Sequence, residues 1–329
     1  MTQLTHLAPD IYRLRLPLPF ALDHMNCYLI RGDGGWTLLD TGLHTSDGWQ
    51  SWLAAFAELG IAPNDIEQIV LTHVHPDHYG MAGALQAWTE NAASVWMSAA
   101  TAEAAALIWR SPAEDWLDET SAYLHRNGLE ASFLESVLQS MRGMRAAVRP
   151  HPQNVATFTP GDEVHLGNRR IQTIAAQGHA DDQTVFYDPA DRLIFCGDQV
   201  LQRITPNVGT WPTTSAGPLG RFLTDLSRLR QLDVGLALPG HRQEITDFGG
   251  RIDELLAHHE KRLIAIREAI PSEGATTLEI TQQVFPVEKF NTHEVRFAVA
   301  ETLAHLEHLL ETGEASRDEN SAGVWMFRR

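Results

Sequence analysis

The sequence predicts an α+β protein, with a strand-rich framework, a helical insert and a small helix–helix–strand module at its C-terminal end. Three observations carry this. Short apolar or alternating runs bounded by turn residues recur from residue 11 to 98 and again from 163 to 238. Residues 101 to 150 interrupt them with a continuous helical stretch. From Gly250 the chain is helical again and closes on a strand. The expected division is a main domain over 1–250, carrying the insert, and a module over 251–329.

Taken in order, Ile11-Tyr-Arg-Leu-Arg-Leu16 alternates as a half-buried strand does, and Asn26 to Arg31 is a short apolar strand. Gly32-Asp-Gly-Gly35 supplies turn chemistry, and Trp36-Thr-Leu-Leu-Asp40 leads out of it. Thr45 or Ser46 caps a helix with Trp49, Trp52, Leu53, Phe56 and Leu59 on one face, and Gly60 ends it. A strand over 66–71, a short helix from Met81 to Trp88 and a strand from Val95 to Ser98 follow. The insert reads as two or three helices. Strands resume at Glu163–Leu166, turn at Gly167-Asn168, and continue at Arg170–Ala175, Thr184–Tyr187 and Leu193–Cys196. A helix near 218–232 and the strand Leu236–Leu238 close the main domain. Beyond it lie a helix carrying Ile252, Leu255, Leu256, His259, Leu263 and Ile266, a linker Pro271-Ser-Glu-Gly274, a short helix after Thr276, a longer one from Thr292 to Leu310 and a strand Gly323–Phe327. Helix, helix and wing is a winged-helix-like order.

The formal charge of −17 disfavours non-specific binding to nucleic acid or anionic membrane. The tail repeats this locally: residues 251–329 hold 9 Lys/Arg against 14 Asp/Glu, a net of −5. The two cysteines, Cys27 and Cys196, lie in apolar strand-like runs and are expected as buried thiols. No signal peptide and no run of membrane-spanning length is read, so a cytoplasmic protein is expected.

The chemistry is concentrated in His73-Val-His-Pro-Asp77-His78, directly after the apolar run that ends at Leu71. His73 and His75 alternate on an extended segment and can point the same way, Pro76 stiffens the turn, and Asp77 and His78 open the next helix. Gly178-His179, Gly197-Asp198 and Pro239-Gly240-His241 follow in order. A carboxylate ending a buried strand, as Asp198 does, is costly unless paired or metal-bound. Imidazole and carboxylate donors suit zinc, iron or manganese. These seven side chains can hold two metal ions.

With Asn26-Cys-Tyr-Leu-Ile, Leu39-Asp-Thr-Gly42, Thr72-His-Val-His-Pro-Asp-His-Tyr-Gly80, Gly178-His179, Phe195-Cys-Gly-Asp198 and Pro239-Gly-His241 in place, residues 11 to 260 resemble the metallo-β-lactamase fold superfamily. The tail is similar to the LACTB2-like branch, which contains thioesterases of polyketide pathways and an endoribonuclease. The resemblance implies a four-layer αββα sandwich with metals at one edge. It implies that His73, His75 and His179 bind one metal, that Asp77, His78 and His241 bind a second, that Asp198 bridges them and that Asp40 orients ligands. Zinc is the expected ion for both. Gly178-His-Ala-Asp-Asp-Gln183 departs from the Ser/Thr-Pro pattern common after that histidine, so the family's substrate assignments do not carry over.

The function expected is hydrolysis of a carboxylic ester, thioester or lactone by a metal-bridging hydroxide, with Asp77 and Asp198 catalytic. A phosphodiesterase or nuclease, and a mononuclear-iron oxidoreductase acting on a thiol or persulfide, are the alternatives. The aromatic and Met residues of the insert either pack it onto the sandwich or wall an apolar pocket over the metals. Phe20, His24, Met25 and Trp211 are the other candidates for a substrate pocket. The expected partner is a small molecule with an apolar acyl or aromatic portion, not nucleic acid and not a membrane. The tail is read as a packing or homodimerisation module, with the Thr292–Leu310 helix as interface.

Overall fold

The computed structural model describes residues 3–19, 22–112 and 116–329. Its strands form two main sheets. The larger contains β1 (Leu4–Ala8), β2 (Ile11–Pro17), β3 (His24–Arg31), β4 (Trp36–Leu39), β5 (Ile66–Val70), β6 (Ser94–Ser98) and β7 (Val155–Phe158), in that spatial order. The smaller runs β12–β11–β10–β9–β8, with β8 at Glu163–Leu166, β9 at Arg169–Ala175, β10 at Thr184–Asp188, β11 at Leu193–Gly197 and β12 at Leu236–Pro239.

Alternation along the strands divides their side chains between cores. On β3, Met25, Cys27 and Leu29 enter one apolar cluster, while Tyr28 and Ile30 enter another. The second cluster lies between the sheets and joins Tyr28, Ile30, Leu39 and Val70 to Phe186, Phe195 and Leu238. Tyr28 meets Phe195 edge-on, with ring centroids 5.2 Å apart. The first cluster lies on the outer face of the large sheet, under α1 (Ser46–Leu59). Thr45 caps that helix by accepting from the Gly48 amide, and Gly60 closes it at φ 68°. Behind the small sheet, α7 (Pro218–Leu229) and α8 (Phe248–Ala269) bury Leu219, Phe222, Leu226, Ile252 and Leu255 against Val185 and Ile194. Helix, sheet, sheet and helix are the four layers. Cys27 and Cys196 are buried, unpaired thiols in the two outer cores.

Between β5 and β6 lie the short α2 (Pro76–Tyr79) and α3 (Ala82–Trp88). Among the described residues the insert holds three α-helices: α4 (Ala99–Ala105), extended by a π-helical turn over 106–110, α5 (Leu117–Arg126) and α6 (Ala131–Ala146). The tail holds α9 (Thr277–Val284), α10 (Thr292–Glu311) and a hairpin of β13 (Ser316–Glu319) and β14 (Trp325–Arg328). Insert and tail share a core. Tyr123, Leu124, Leu129 and Val137 pack with Ile280, Leu303, Leu306 and Phe327. The apolar residues of α10, Val299 to Leu309, are buried within the chain against α6, α7, α8 and α9, so the helix offered as a dimer interface uses that face internally. Among the described residues no helix is long and apolar enough to cross a membrane.

Candidate metal centre

The strand directions explain why distant residues meet. β4 and β5 are parallel, as are β11 and β12, and β9 runs with β11 because both are antiparallel to β10. Asp40, the 72–78 segment, His179, Asp198 and His241 follow the C-terminal ends of β4, β5, β9, β11 and β12 respectively. The sheets are joined at this edge by backbone. The Thr184 amide donates to the Thr72 carbonyl at 2.9 Å, and the Asn26 amide donates to the Gly240 carbonyl at 2.6 Å. Buried Asn26 adds side-chain bonds to the carbonyls of Pro239 and Arg242, both at 3.0 Å.

All seven sequence-derived donors converge. His73, His75 and His179 form one group whose candidate ligand atoms lie within 4.8 Å of one another, and Asp77, His78 and His241 form a second. Asp198 sits between them. Its Oδ2 lies 3.6 Å from His179 Nε2 and 3.3 Å from His241 Nε2, and its Oδ1 lies 3.4 Å from His78 Nε2. Asp77 Oδ2 is 3.2 Å from His241 Nε2.

The outer nitrogens show which way the rings face. His78 Nδ1 bonds Asp40 Oδ2 at 2.8 Å, His179 Nδ1 bonds the Asn207 carbonyl at 2.9 Å, and His241 Nδ1 bonds the His24 carbonyl at 2.8 Å. His73 Nδ1 meets the Thr72 hydroxyl at 2.9 Å. With a proton on each Nδ1, the four Nε2 lone pairs point inward, the tautomer a metal ligand needs. His75 instead turns Nδ1 inward, 3.0 Å from His73 Nε2 and 2.9 Å from His179 Nε2. His78 Nε2, His241 Nε2 and Asp198 Oδ1 are buried with no hydrogen-bond partner. Buried orphans of this kind are rare unless a ligand satisfies them, so the donor set fits divalent cations.

The carboxylates also draw protons onto His78 and His241, which a bound cation would displace. Burial pushes His73 well below the usual imidazole range and His75 down to about 3. Burial also opposes charge on His78 and His241, yet the carboxylates outweigh it. Asp198 and Asp40 hold His78 well above the usual range, and Asp198 and Asp77 raise His241 to about 10. Against the cost of burial, His241 and His78 hold Asp198 well below the usual carboxylate range. The pocket therefore attracts positive charge.

Two backbone features shape it. Asp40 has φ 59°, a left-handed conformation rare outside Gly, Asn and Asp, and its carboxylate accepts from the Thr72 amide at 2.9 Å and from the Thr72 hydroxyl. At Gly240 a Cβ would lie 2.4 Å from Asp198 Oδ1 and 2.8 Å from His78 Cε1, so only glycine fits.

The proposed pocket residues fare differently. Phe20 lies outside the described residues. Met25 has no exposed surface and packs in the core behind the large sheet, because the β3 alternation turns it away from any open wall. His24 supports His241 through its carbonyl and lines an open cleft. Trp211 is half-buried where the 199–217 loop meets insert and tail, 6.5 Å from Tyr123 and 5.4 Å from Phe297 between ring centroids. From the insert, Trp109 donates its indole N–H to the Val74 carbonyl, between His73 and His75, at 2.9 Å. Thr72, Asn26, Asn207, Trp109 and Asp182 are additional site residues. Asp182 is buried, and burial raises its carboxyl to about 6, while its carbonyl accepts from Ser98, the last residue of β6, at 3.3 Å and from Thr101 of α4 at 3.2 Å.

Comparison with known proteins shows the family. The model of the metallo-beta-lactamase superfamily matches residues 22–241, and that of the metallo-beta-lactamase-like C-terminal domain matches residues 263–329. A probable metallo-hydrolase of Bacillus subtilis is 25% identical over 93% of both chains. A beta-lactamase-like protein 2 homolog of Caenorhabditis elegans is 23% identical over 87% of this chain and 81% of its own. The crystal structure of a metallo-beta-lactamase family protein from Thermus thermophilus superposes with a TM-score of 0.87 at 32% identity, covering 98% of this chain and all of the other (100%). A beta-lactamase domain protein from Burkholderia ambifaria gives 0.86 at 29% identity, covering 99% and 93%.

Proposed function

We infer that this chain, which belongs to the metallo-β-lactamase superfamily, hydrolyses a carboxylic ester, thioester or lactone at a two-metal centre. The observation that carries this reading is the complete inward-facing donor set, with unpartnered His78 Nε2, His241 Nε2 and Asp198 Oδ1 at its middle. His73, His75 and His179 would hold one ion, Asp77, His78 and His241 the other, and Asp198 would span them. Zinc is the ion best matched to five imidazoles and two carboxylates, and bound ions would supply Lewis acidity and lower the pKa of water.

The chain's own residues set the geometry. Asp77, in the first turn of α2, keeps one oxygen near His241 and can orient the attacking water and take its proton. As the new C–O bond forms and the ester or thioester bond breaks, the same carboxyl can return that proton to the departing oxygen or sulfur. Asp40, Thr72, Asn207 and the His24 carbonyl hold the imidazoles still. The net charge of −17 supports a small substrate over a long polyanion.

The test is initial rates of metal-reconstituted protein on acyl thioesters, lactones, a β-lactam and a phosphodiester, with Asp77→Ala and Asp198→Ala as controls. Turnover of thioesters or lactones is expected, lowered by several orders of magnitude, about 10³-fold or more, in either variant. Activity retained in a variant, or turnover of the phosphodiester alone, overturns the reading.

A further inference from the structure

Beside the centre, on the His241 side, lies a cleft of about 680 Å³ lined by Arg15, Asp23, His24, Arg203, Ile204 and Arg242, among others. Its size is within the range of small-molecule sites. It touches the metal-binding edge through two residues: His24, whose carbonyl anchors His241 Nδ1 at 2.8 Å, and Arg242, the next residue in the chain.

Three guanidiniums against one carboxylate is an unusual concentration in a protein with 25 basic and 42 acidic side chains. The existing contacts do not neutralise them. Arg15 uses its side chain on neutral acceptors, the Asn26 side-chain oxygen at 3.3 Å and the Arg242 backbone carbonyl at 3.1 Å. Arg242 reaches Asp23 only at 3.8 Å, and its Nε is buried without a partner. Arg203 is exposed and carries no ion pair among the described residues. Arg203 and Arg242 both have φ 69°, a left-handed backbone rarely adopted by long side chains. Two such residues on the loops of one cleft owe their placement to the tertiary fold, not to helix or strand propensity.

We propose that this cleft binds a phosphate group on the leaving portion of the substrate, so that the centre hydrolyses an ester or thioester of a phosphorylated alcohol or thiol. The proposal rests on the hydrolase reading above and adds the substrate class. Guanidinium forks match phosphate oxygens in pairs, and the bonds are charge-assisted. The acidic remainder of the surface repels anions elsewhere, so the cleft also gives orientation. The scissile carbonyl would then lie at the metal centre while the phosphate, at the far end of the leaving group, is held in the cleft.

The test has two parts. The first compares kcat/KM for one acyl group carried on 4′-phosphopantetheine and on pantetheine, which lacks only the phosphate. A preference for the phosphorylated thiol of about 10- to 100-fold is expected, equivalent to one or two charge-assisted bonds, and Arg203→Ala should shrink that ratio about 10-fold. Equal use of both thioesters, or a ratio unchanged in Arg203→Ala, overturns the cleft while leaving the hydrolase reading intact. The second measures binding of adenosine 3′,5′-bisphosphate to the metal-loaded protein. Binding weakened about 10-fold by Arg203→Ala supports the cleft even if no thioester is turned over, which would fault the hydrolase reading alone. Binding indifferent to the variant, or tight capture of a single-stranded oligonucleotide in its place, overturns the small phosphorylated substrate.

Discussion

Asp40 is not one of the inward-facing donors, yet its carboxylate fixes the Thr72 amide, the Thr72 hydroxyl and His78 Nδ1 at once. Asp40→Ala should therefore free the His78 ring and weaken binding of the second metal about 10- to 100-fold, read by chelator competition and metal content. Unaltered affinity would detach Asp40 from the site. Gly240→Ala tests the same centre sterically. With its Cβ 2.4 Å from Asp198 Oδ1, the variant should remain folded by circular dichroism and lose activity at least about 100-fold, since small displacements at a reacting centre cost that much. The seven donors were legible in the sequence because metal chemistry restricts them to a few residue types, four of them within six positions. Their supports were not. Asn207 and His24 act through backbone carbonyls, which every residue has, and Thr72 acts through a hydroxyl of no distinctive pattern.

Elements were legible where burial imposes a period. The fully buried runs of β3, β10 and β11 and the capped α1 follow from apolar spacing and turn residues. The strands without a sequence signal are those with little to bury. β1 is an edge strand with no buried residue, β7 is four residues with one buried, and β13, Ser-Arg-Asp-Glu, is exposed throughout. Periodicity also hides what a buried polar residue does. His259 of α8 and His305 of α10 read as core-face positions, and the structure stacks them, 3.2 Å between His259 Nδ1 and His305 Nε2, beside Phe222, His258 and Arg262. Burial first, then neighbouring positive charge, lowers His259 to about 3 and His305 to about 4. In the unfolded chain both titrate near 6.5. Below that pH the unfolded state takes up protons that the folded state refuses, so the pair removes stability as pH falls from 6.5 toward 4. Between pH 6.5 and 5 the loss is about 1.5 kcal/mol for each histidine. Denaturant melts of metal-free protein should show His259→Gln/His305→Gln with a shallower acid decline than the parent. Parallel declines would mean that the pair is hydrated or protonated in the fold.

At the scale of the molecule, the sequence separates insert and tail by more than 100 residues, and the structure puts them in one core. Local periodicity reports which face of a helix is apolar, not which partner covers it. Here the faces of α5 and α6 that carry Tyr123, Leu124 and Val137 are covered by Ile280, Leu303 and Phe327. The same insert reaches the catalytic edge through Trp109 on the Val74 carbonyl and through Thr101 on the Asp182 carbonyl. The tail thus supports the centre at one remove. It stabilises the insert, and the insert braces the His73–His78 loop. Phe327 tests this chain of support because it is fully buried in the shared core, and its backbone pairs with Ala275. Phe327→Ala should cost about 3–5 kcal/mol of local stability. The consequence expected is remote: limited proteolysis should cut within residues 117–146 faster than in the parent, at a denaturant concentration where the sandwich is still folded. Metal affinity should fall as the loop loses its brace. A chain ending at Arg262 should go further, exposing the insert's apolar face and aggregating. If instead Phe327→Ala leaves insert cleavage unchanged, or the shortened chain is soluble and binds both metals, the insert stands on the sandwich alone and the tail has no part in supporting the site.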